Sequence, residues 1–212
     1  MANIETELFD GVAHYYAQKL AAHGDTPRGV DWNGETSQIL RFEQLCKIIP
    51  GDADCFSLTD LGCGYGALFD FLQAKPWQFT YLGVDISDAM VSAARARNAG
   101  QHNARFVAAH EPDALGDYCV ASGIFNVRLG WSNPEWFDYL SATIDVLDRN
   151  SALGFAFNCL SSYSDLEKRR DDLYYADPCQ LFDLCKRKYS TQVALLHDYG
   201  LYEFTILVRK AT

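Results

Sequence analysis

The stretch "LTDLGCGYGALFDFL", residues 58–72, constrains this chain more than any other. An apolar run ends in Asp60, breaks at Gly62, Gly64 and Gly66, and passes into helix-like sequence. Strand, glycine turn and helix in that order open a parallel α/β sheet, whose ligands sit outside the carboxyl ends of the strands. The rest of the chain repeats the alternation. Apolar runs at 56–61, 79–86, 104–109, 118–125 and 153–160 predict strands. The segments between them, 67–74, 87–98 and 134–149, predict helices, with Ser87 capping the second and Asn133 capping the third ahead of Pro134. Near the end, "STQVALLHDY" and "YEFTILVRK" flank a turn at Gly200 and predict an antiparallel hairpin. A helix near 177–188 precedes it, and residues 161–176 interrupt the pattern as a flap over the strand ends. Upstream, residues 7–23 and 35–49 read as helices, the second with Thr36 as N-cap and Ile39, Phe42, Leu45 and Ile49 on one face. The expectation is a doubly wound, mostly parallel seven-stranded sheet with helices on both faces. Residues 35–212 form its domain, and residues 1–34 form an N-terminal helical lid.

Composition narrows the function classes. Eighteen basic against twenty-eight acidic residues leave a net charge of −10, which repels phosphate backbones and anionic lipids. The two dense basic runs, 167–172 and 186–188, are short and read as solvated helix faces. Neither nucleic acid nor a membrane is expected as partner. No leader pattern opens the chain and no apolar run approaches the roughly 20 residues that span a bilayer, so a cytoplasmic location is expected. Seven cysteines without a C-x-x-C pair suggest buried reduced thiols rather than a disulfide framework, and no metal site is expected.

The glycines alone leave the cofactor open, because "GCGYGA" also satisfies the dinucleotide pattern and Asp85 lies 23 residues beyond Gly62, where a ribose-binding acid is expected. Asp60 argues against a dinucleotide. A carboxylate beside the turn repels a pyrophosphate, but it attracts the ammonium and sulfonium of S-adenosylmethionine, whose carboxylate can meet free N–H groups at the next helix.

Over about residues 36–212 the sequence resembles the class I S-adenosylmethionine-dependent methyltransferases, through "DLGCGYG", "LGVDIS" and the terminal hairpin. The resemblance implies that Asp60 and the turn Gly62, Cys63, Gly64 and Gly66 hold the methionyl end. Asp85 would accept the ribose hydroxyls, and Ile86 and Met90 would flank the adenine. The family often places an acid after the third strand to meet the adenine amino group. Here "FVAAHEPDAL" leaves that place to His110 or Glu111.

Methyl transfer from a sulfonium is an in-line displacement that depends on positioning and exclusion of water. After the fourth strand, Ser122, Gly123, Phe125 and Asn126 are candidates for the cofactor and acceptor wall. The "NPPY" and "PC" motifs of nucleic-acid methyltransferases are missing, which with the acidic charge turns the expectation toward an oxygen or nitrogen of a small molecule. His14, His197 and Asn126 are candidate catalytic groups, and Tyr15, Tyr16, Arg28, Trp32 and Arg41 candidate substrate contacts. A protein or nucleic-acid methyltransferase and a cofactor-binding regulator without catalysis remain as alternatives.

Overall fold

The computed structural model describes residues 2–211, and side chains from Glu7 to Ala211. Seven strands form one sheet: β1 (Cys55–Leu61), β2 (Gln78–Asp85), β3 (Ala104–Ala108), β4 (Gly116–Ala121), β5 (Ser151–Leu160), β6 (Gln192–Leu196) and β7 (Glu203–Arg209). Their spatial order is β3-β2-β1-β4-β5-β7-β6. Only β7 runs against its neighbours, pairing antiparallel with both β5 and β6. The order reverses between β1 and β4, so the crevice for a ligand falls at the ends of these two central strands.

Six α-helices accompany the strands among the described residues: α1 (Ala2–His23), α2 (Glu35–Cys46), α3 (Ala67–Gln73), α4 (Asp88–Arg97), α5 (Asn133–Arg149) and α6 (Pro178–Lys188). Local sequence explains most of their starts. Ser87 accepts the Met90 N–H at the head of α4. Asp177 accepts the N–H groups of Cys179 and Gln180 at the head of α6. At α5 the cap is Ser132 rather than Asn133: its hydroxyl accepts the Glu135 N–H while the Glu135 carboxylate reaches back to the Ser132 N–H. Helix α2 likewise starts one residue after Gly34, not at Thr36, and ends at Cys46, leaving Ile48 and Ile49 buried in the turn that follows. Ile39 lies outward at 37% exposure. The inward face carries Gln38, Arg41, Phe42 and Leu45 instead.

The sheet separates two cores. On one face Phe42, Leu45, Leu68, Phe69, Val91 and Phe106 pack under α2, α3 and α4. On the other, Trp136, Leu140, Ile144, Phe155 and Phe157 pack under α5 and α6, and Leu8 and Val12 of α1 join them. Five of the seven cysteines are buried thiols, whereas Cys55 and Cys179 are exposed. No helix among the described residues is long and apolar enough to cross a membrane.

The segment 161–176 leaves the end of β5 and bridges back to it through Ser161 and Ala176, and to the loop after β4 through Val127 and Leu173. Its Arg170 reaches across to Asp31 at 3.0 Å.

Candidate active site

The glycine turn after β1 is tied down by the neighbouring strand, since the N–H groups of Gly62 and Cys63 both donate to the Val84 carbonyl. Gly62 has φ +79°, and a Cβ there would stand 2.1 Å from Ile124 Cγ2. Glycine is therefore required by backbone and by space. Gly66 serves packing instead. A Cβ there would stand 2.8 Å from Asn98 Nδ2, so its bare backbone lets α3 lie against the end of α4 rather than facing a ligand. The Cys63 side chain also turns inward, its thiol against the Gly64 carbonyl and within the core under α3.

Above the turn lies a cavity of about 650 Å³. Its floor follows the strand ends: Leu61, Gly62 and Gly64 after β1, Asp85 and Ile86 at β2, Ala109 and His110 after β3, and Ser122 and Gly123 after β4. The Asp85 carboxylate is held by two backbone donors, the Gly64 N–H at 2.8 Å and the Ser87 N–H at 2.9 Å. Burial pushes its pKa up, against the pull of those two N–H groups. Each carboxylate oxygen has a second lone pair free to accept a hydroxyl. Met90, 1% exposed, forms the wall beside Ile86.

A side chamber of about 40 Å³ opens beside the turn, lined by Asp60, Gly62, Gly64, Gln38, Tyr65 and Trp32. Asp60 is 2% exposed. Its Oδ2 accepts the Tyr81 hydroxyl at 2.6 Å, but its Oδ1 is buried without any hydrogen-bond partner. Burial raises this carboxyl to about 7, opposed by the Tyr81 hydroxyl and reinforced by the charge of Asp85. An unpaired buried carboxylate oxygen costs roughly 1–3 kcal/mol or more, so the site is incomplete until a donor, best a cation, enters. The ammonium of S-adenosylmethionine fits that need, and a pyrophosphate does not.

The family model that matches residues 58–149 is described as "Methyltransferase domain". A curated protein of Mycobacterium tuberculosis, "Putative methyltransferase Rv1506c", is 62% identical over 160 residues, covering 76% of this chain and 96% of that protein. The chain belongs to the class I S-adenosylmethionine-dependent methyltransferases. Solved structures of the same fold include magnesium protoporphyrin IX methyltransferase from Synechocystis with bound S-adenosylmethionine, with TM-score 0.65, 14% identity and coverage of 94% and 97% of the two chains. The N-methyltransferase NodS from Bradyrhizobium japonicum, with S-adenosylhomocysteine, gives TM-score 0.66, 14% identity and coverage of 95% and 99%.

The methyltransferase's cavity is roofed by parts of the chain that the strand pattern does not disclose. Helix α1 contributes Leu8, Phe9, Val12 and Tyr16. Phe9 lies against His110 with ring centroids 4.4 Å apart and edge-on to Tyr139 at 5.9 Å. Burial pushes the Tyr16 phenol upward, which keeps it protonated. The 23–34 loop adds Val30 and Trp32, and α5 adds Tyr139, Thr143 and Val146. Glu111 lines the cavity paired with Arg149.

Several residues singled out from the sequence lie elsewhere, each for a physical reason. Arg41 is buried against Glu203 of β7, its Nη2 donating at 3.0 Å, with its guanidinium over Trp32; it anchors α2 to the sheet instead of meeting an acceptor. Asn126 is bound on both ends of its amide, by Glu203 and by the Leu160 N–H, which places it in the same anchor. Phe125 has no exposure and packs on Phe157 and Tyr139, because β4 ends at Ala121 and the chain turns inward before it. Arg28 is exposed on the short turn Pro27–Val30 and lines neither the cavity nor the chamber. Tyr15 points away from its cavity-lining neighbour Tyr16 and donates to Asp31 at 2.8 Å. His14 lies at the surface beside Gln18, and His197 is exposed between Tyr163 and Phe204.

Gln38 belongs to the polar-rich stretch 26–42 that stands out in the sequence, but sequence patterning does not reveal its chamber partner Tyr65, joined to it at 3.0 Å, or the α5 wall. For α5 a signal exists: Tyr139, Thr143 and Val146 recur at helical spacing on a face that turns to the strand ends.

Proposed function

We propose that this enzyme methylates an oxygen or nitrogen atom of a small molecule, with α1 and the 23–34 loop acting as a lid over the acceptor. The carrying observation is the roofed cavity, whose walls between α1 and α5 are largely apolar and whose floor continues into the glycine turn. A nucleic-acid strand would require a basic track, and the net charge is −10.

In this reading the Asp60 Oδ1 and the chamber take the amino end of the cofactor, and Asp85 accepts its ribose hydroxyls. Ile86 and Met90 flank the adenine, whose polar edge meets the 109–111 segment. When bound, S-adenosylmethionine supplies a methyl group on a positively charged sulfur that leaves as a neutral thioether. The chain's own work is to hold, orient and exclude water. Trp32, Tyr16 and Phe9 close the space above the floor, so a nucleophile there loses its hydration and is confined near the reacting carbon. An acceptor amine or hydroxyl releases its proton to solvent along the open rim of the cavity.

The deciding experiment is transfer of a labelled methyl group from S-adenosylmethionine to a panel of small amines and alcohols, with a protein and an oligonucleotide panel alongside. Labelled small molecules support the proposal. Label only in protein or nucleic acid, or tight S-adenosylhomocysteine binding with no transfer to any panel, contradicts it.

A further inference from the structure

The link between β3 and β4 is unusually short. β3 stands at the sheet edge, and the chain must pass β2 and β1 to reach the place of β4, yet it does so in residues 109–115 without a helix. Parallel strands are ordinarily joined by a dozen or more residues that include one. Helix α1, which lies against α4, sends only Leu8 and Val12 into the core on that face, which also holds Leu61, Leu82 and Val84. Because α1 arrives from the N-terminus rather than as a crossover, it does not close against α5 along its length. The two helices meet at Phe9 and Tyr139, and the cavity continues between them.

The lining of α5 runs from Glu135 and Asp138 in its first turns through Ala142 to Val146 and Arg149 in its last. At 1.5 Å per residue this is a wall of about 20 Å. A helix joining two parallel strands runs along them, so this wall follows the sheet face. The floor at Gly62, Asp85, Ala109 and Ser122 follows the strand ends, across the sheet. The cavity thus has two limbs at a steep angle, and the cofactor site accounts for one.

The second limb has a definite chemistry. Leu8, Phe9, Val12, Tyr139 and Val146 make its inner surface apolar, while Ala142 is exposed at its open side. Among the described residues the one guanidinium or ammonium on its wall is Arg149, already paired with Glu111. Asp138 and Glu135 stand at the end nearest the strand ends, where neither has a salt-bridge partner among the described residues. A carboxylate or phosphate entering here would lose hydration, find no free cation and face those two acids.

Resting on the methyltransferase reading above, we propose that this second limb seats the elongated apolar body of the acceptor, and that the acceptor carries an uncharged or amine head and no anionic group. The experiment titrates the full-length protein, saturated with S-adenosylhomocysteine, with phenylbutylamine, phenylbutanol and phenylbutyrate, in wild type and in Ala142→Trp. Ala142 is exposed, so the added indole fills the limb without disturbing the core. The amine and the alcohol should bind at least about tenfold more tightly than the carboxylate, and lose about tenfold or more in Ala142→Trp, while the affinity for S-adenosylhomocysteine stays unchanged. Equal binding of the carboxylate, binding that Ala142→Trp leaves intact, or binding of none of the three overturns the proposal. Failure of S-adenosylhomocysteine itself to bind would instead strike the methyltransferase reading.

Discussion

The floor of the cavity and its roof are built in opposite ways. On the floor, partners lie close in sequence: Asp85 meets Ser87 two residues on and Gly64 21 residues back, and Tyr81 meets Asp60 across the same interval. In the roof Asp31 also has near partners, Lys19 and Tyr15, but the contacts that tie it and the adjoining α2 to the rest of the chain are distant. Arg170 meets Asp31 across 139 residues, and Arg41 meets Glu203 across 162. The floor is a property of one strand-turn-helix unit and its neighbour, so it forms wherever that unit forms. The roof exists only once the whole sheet has assembled, and it is held by charge pairs whose strength depends on burial.

That contrast can be broken at four points. The largest effect should come from the buried Arg41–Glu203 pair that anchors α2 to the sheet. Glu203→Ala leaves the Arg41 guanidinium and the Asn126 amide without their partner, and should cost about 3–5 kcal/mol in urea unfolding. A loss under about 1 kcal/mol would show that α2 is held mainly by its apolar face.

On the floor, Asp85→Ala should weaken S-adenosylhomocysteine by roughly a hundredfold or more in calorimetry, the cost of two hydrogen bonds to a charged acceptor at about 1.5–3 kcal/mol each. Affinity within about threefold of the parent would remove Asp85 from the ribose site.

The third point is the pH dependence of Asp60. Its pKa is raised to about 7, so the empty fold is favoured while the carboxyl holds its proton and loses that advantage as pH rises through 7. A cationic ligand has the opposite preference. Affinity for S-adenosylhomocysteine should therefore climb by up to about thirtyfold between pH 5.5 and 7.5 and then level. Asp60→Asn should flatten that rise and stabilise the empty protein above pH 7. An unchanged profile in the variant would show that another group titrates.

The smallest effect belongs to the Asp31 clasp between α1, the 23–34 loop and the 161–176 segment. Asp31 accepts from Lys19, Tyr15 and Arg170. Burial alone would raise its pKa, but these three donors outweigh it and hold the carboxyl below its ordinary value. Its contribution is present above about pH 4 and is lost as pH falls below that. Asp31→Ala should cost about 1 kcal/mol, less at high salt, because the pairs are partly exposed. Faster release of S-adenosylhomocysteine in stopped flow would accompany it; an unchanged release rate would mean that the lid opens elsewhere.

The same division governs what the sequence discloses. Strand positions, the cap of α4, the terminal hairpin and the placement of Asp60 and Asp85 beside the glycine turn are legible because each follows from residues within one or two turns of chain. The α5 cap sits one residue earlier than Asn133 because Ser132 and Asn133 both suit the role, and only Glu135 three residues beyond Ser132 decides it. Arg41 on α2 and Asn126 beyond β4 read as ligand contacts because neither polar residue has a visible partner in sequence; Glu203 lies on the last strand. The α1–α5 limb is invisible in the sequence for a related reason. It arises from a helix that the β3–β4 connection does not contain, a gap that α1 only partly covers from the other end of the chain.

The central claim is that the cofactor's amino group completes Asp60. A crystal structure with S-adenosylhomocysteine tests it most directly. The amino nitrogen should lie within hydrogen-bond distance of Asp60 Oδ1, at the chamber bounded by Gln38 and Tyr65, with the ribose hydroxyls on Asp85. An amino group directed away from the chamber, with Asp60 Oδ1 still unpaired, would contradict it.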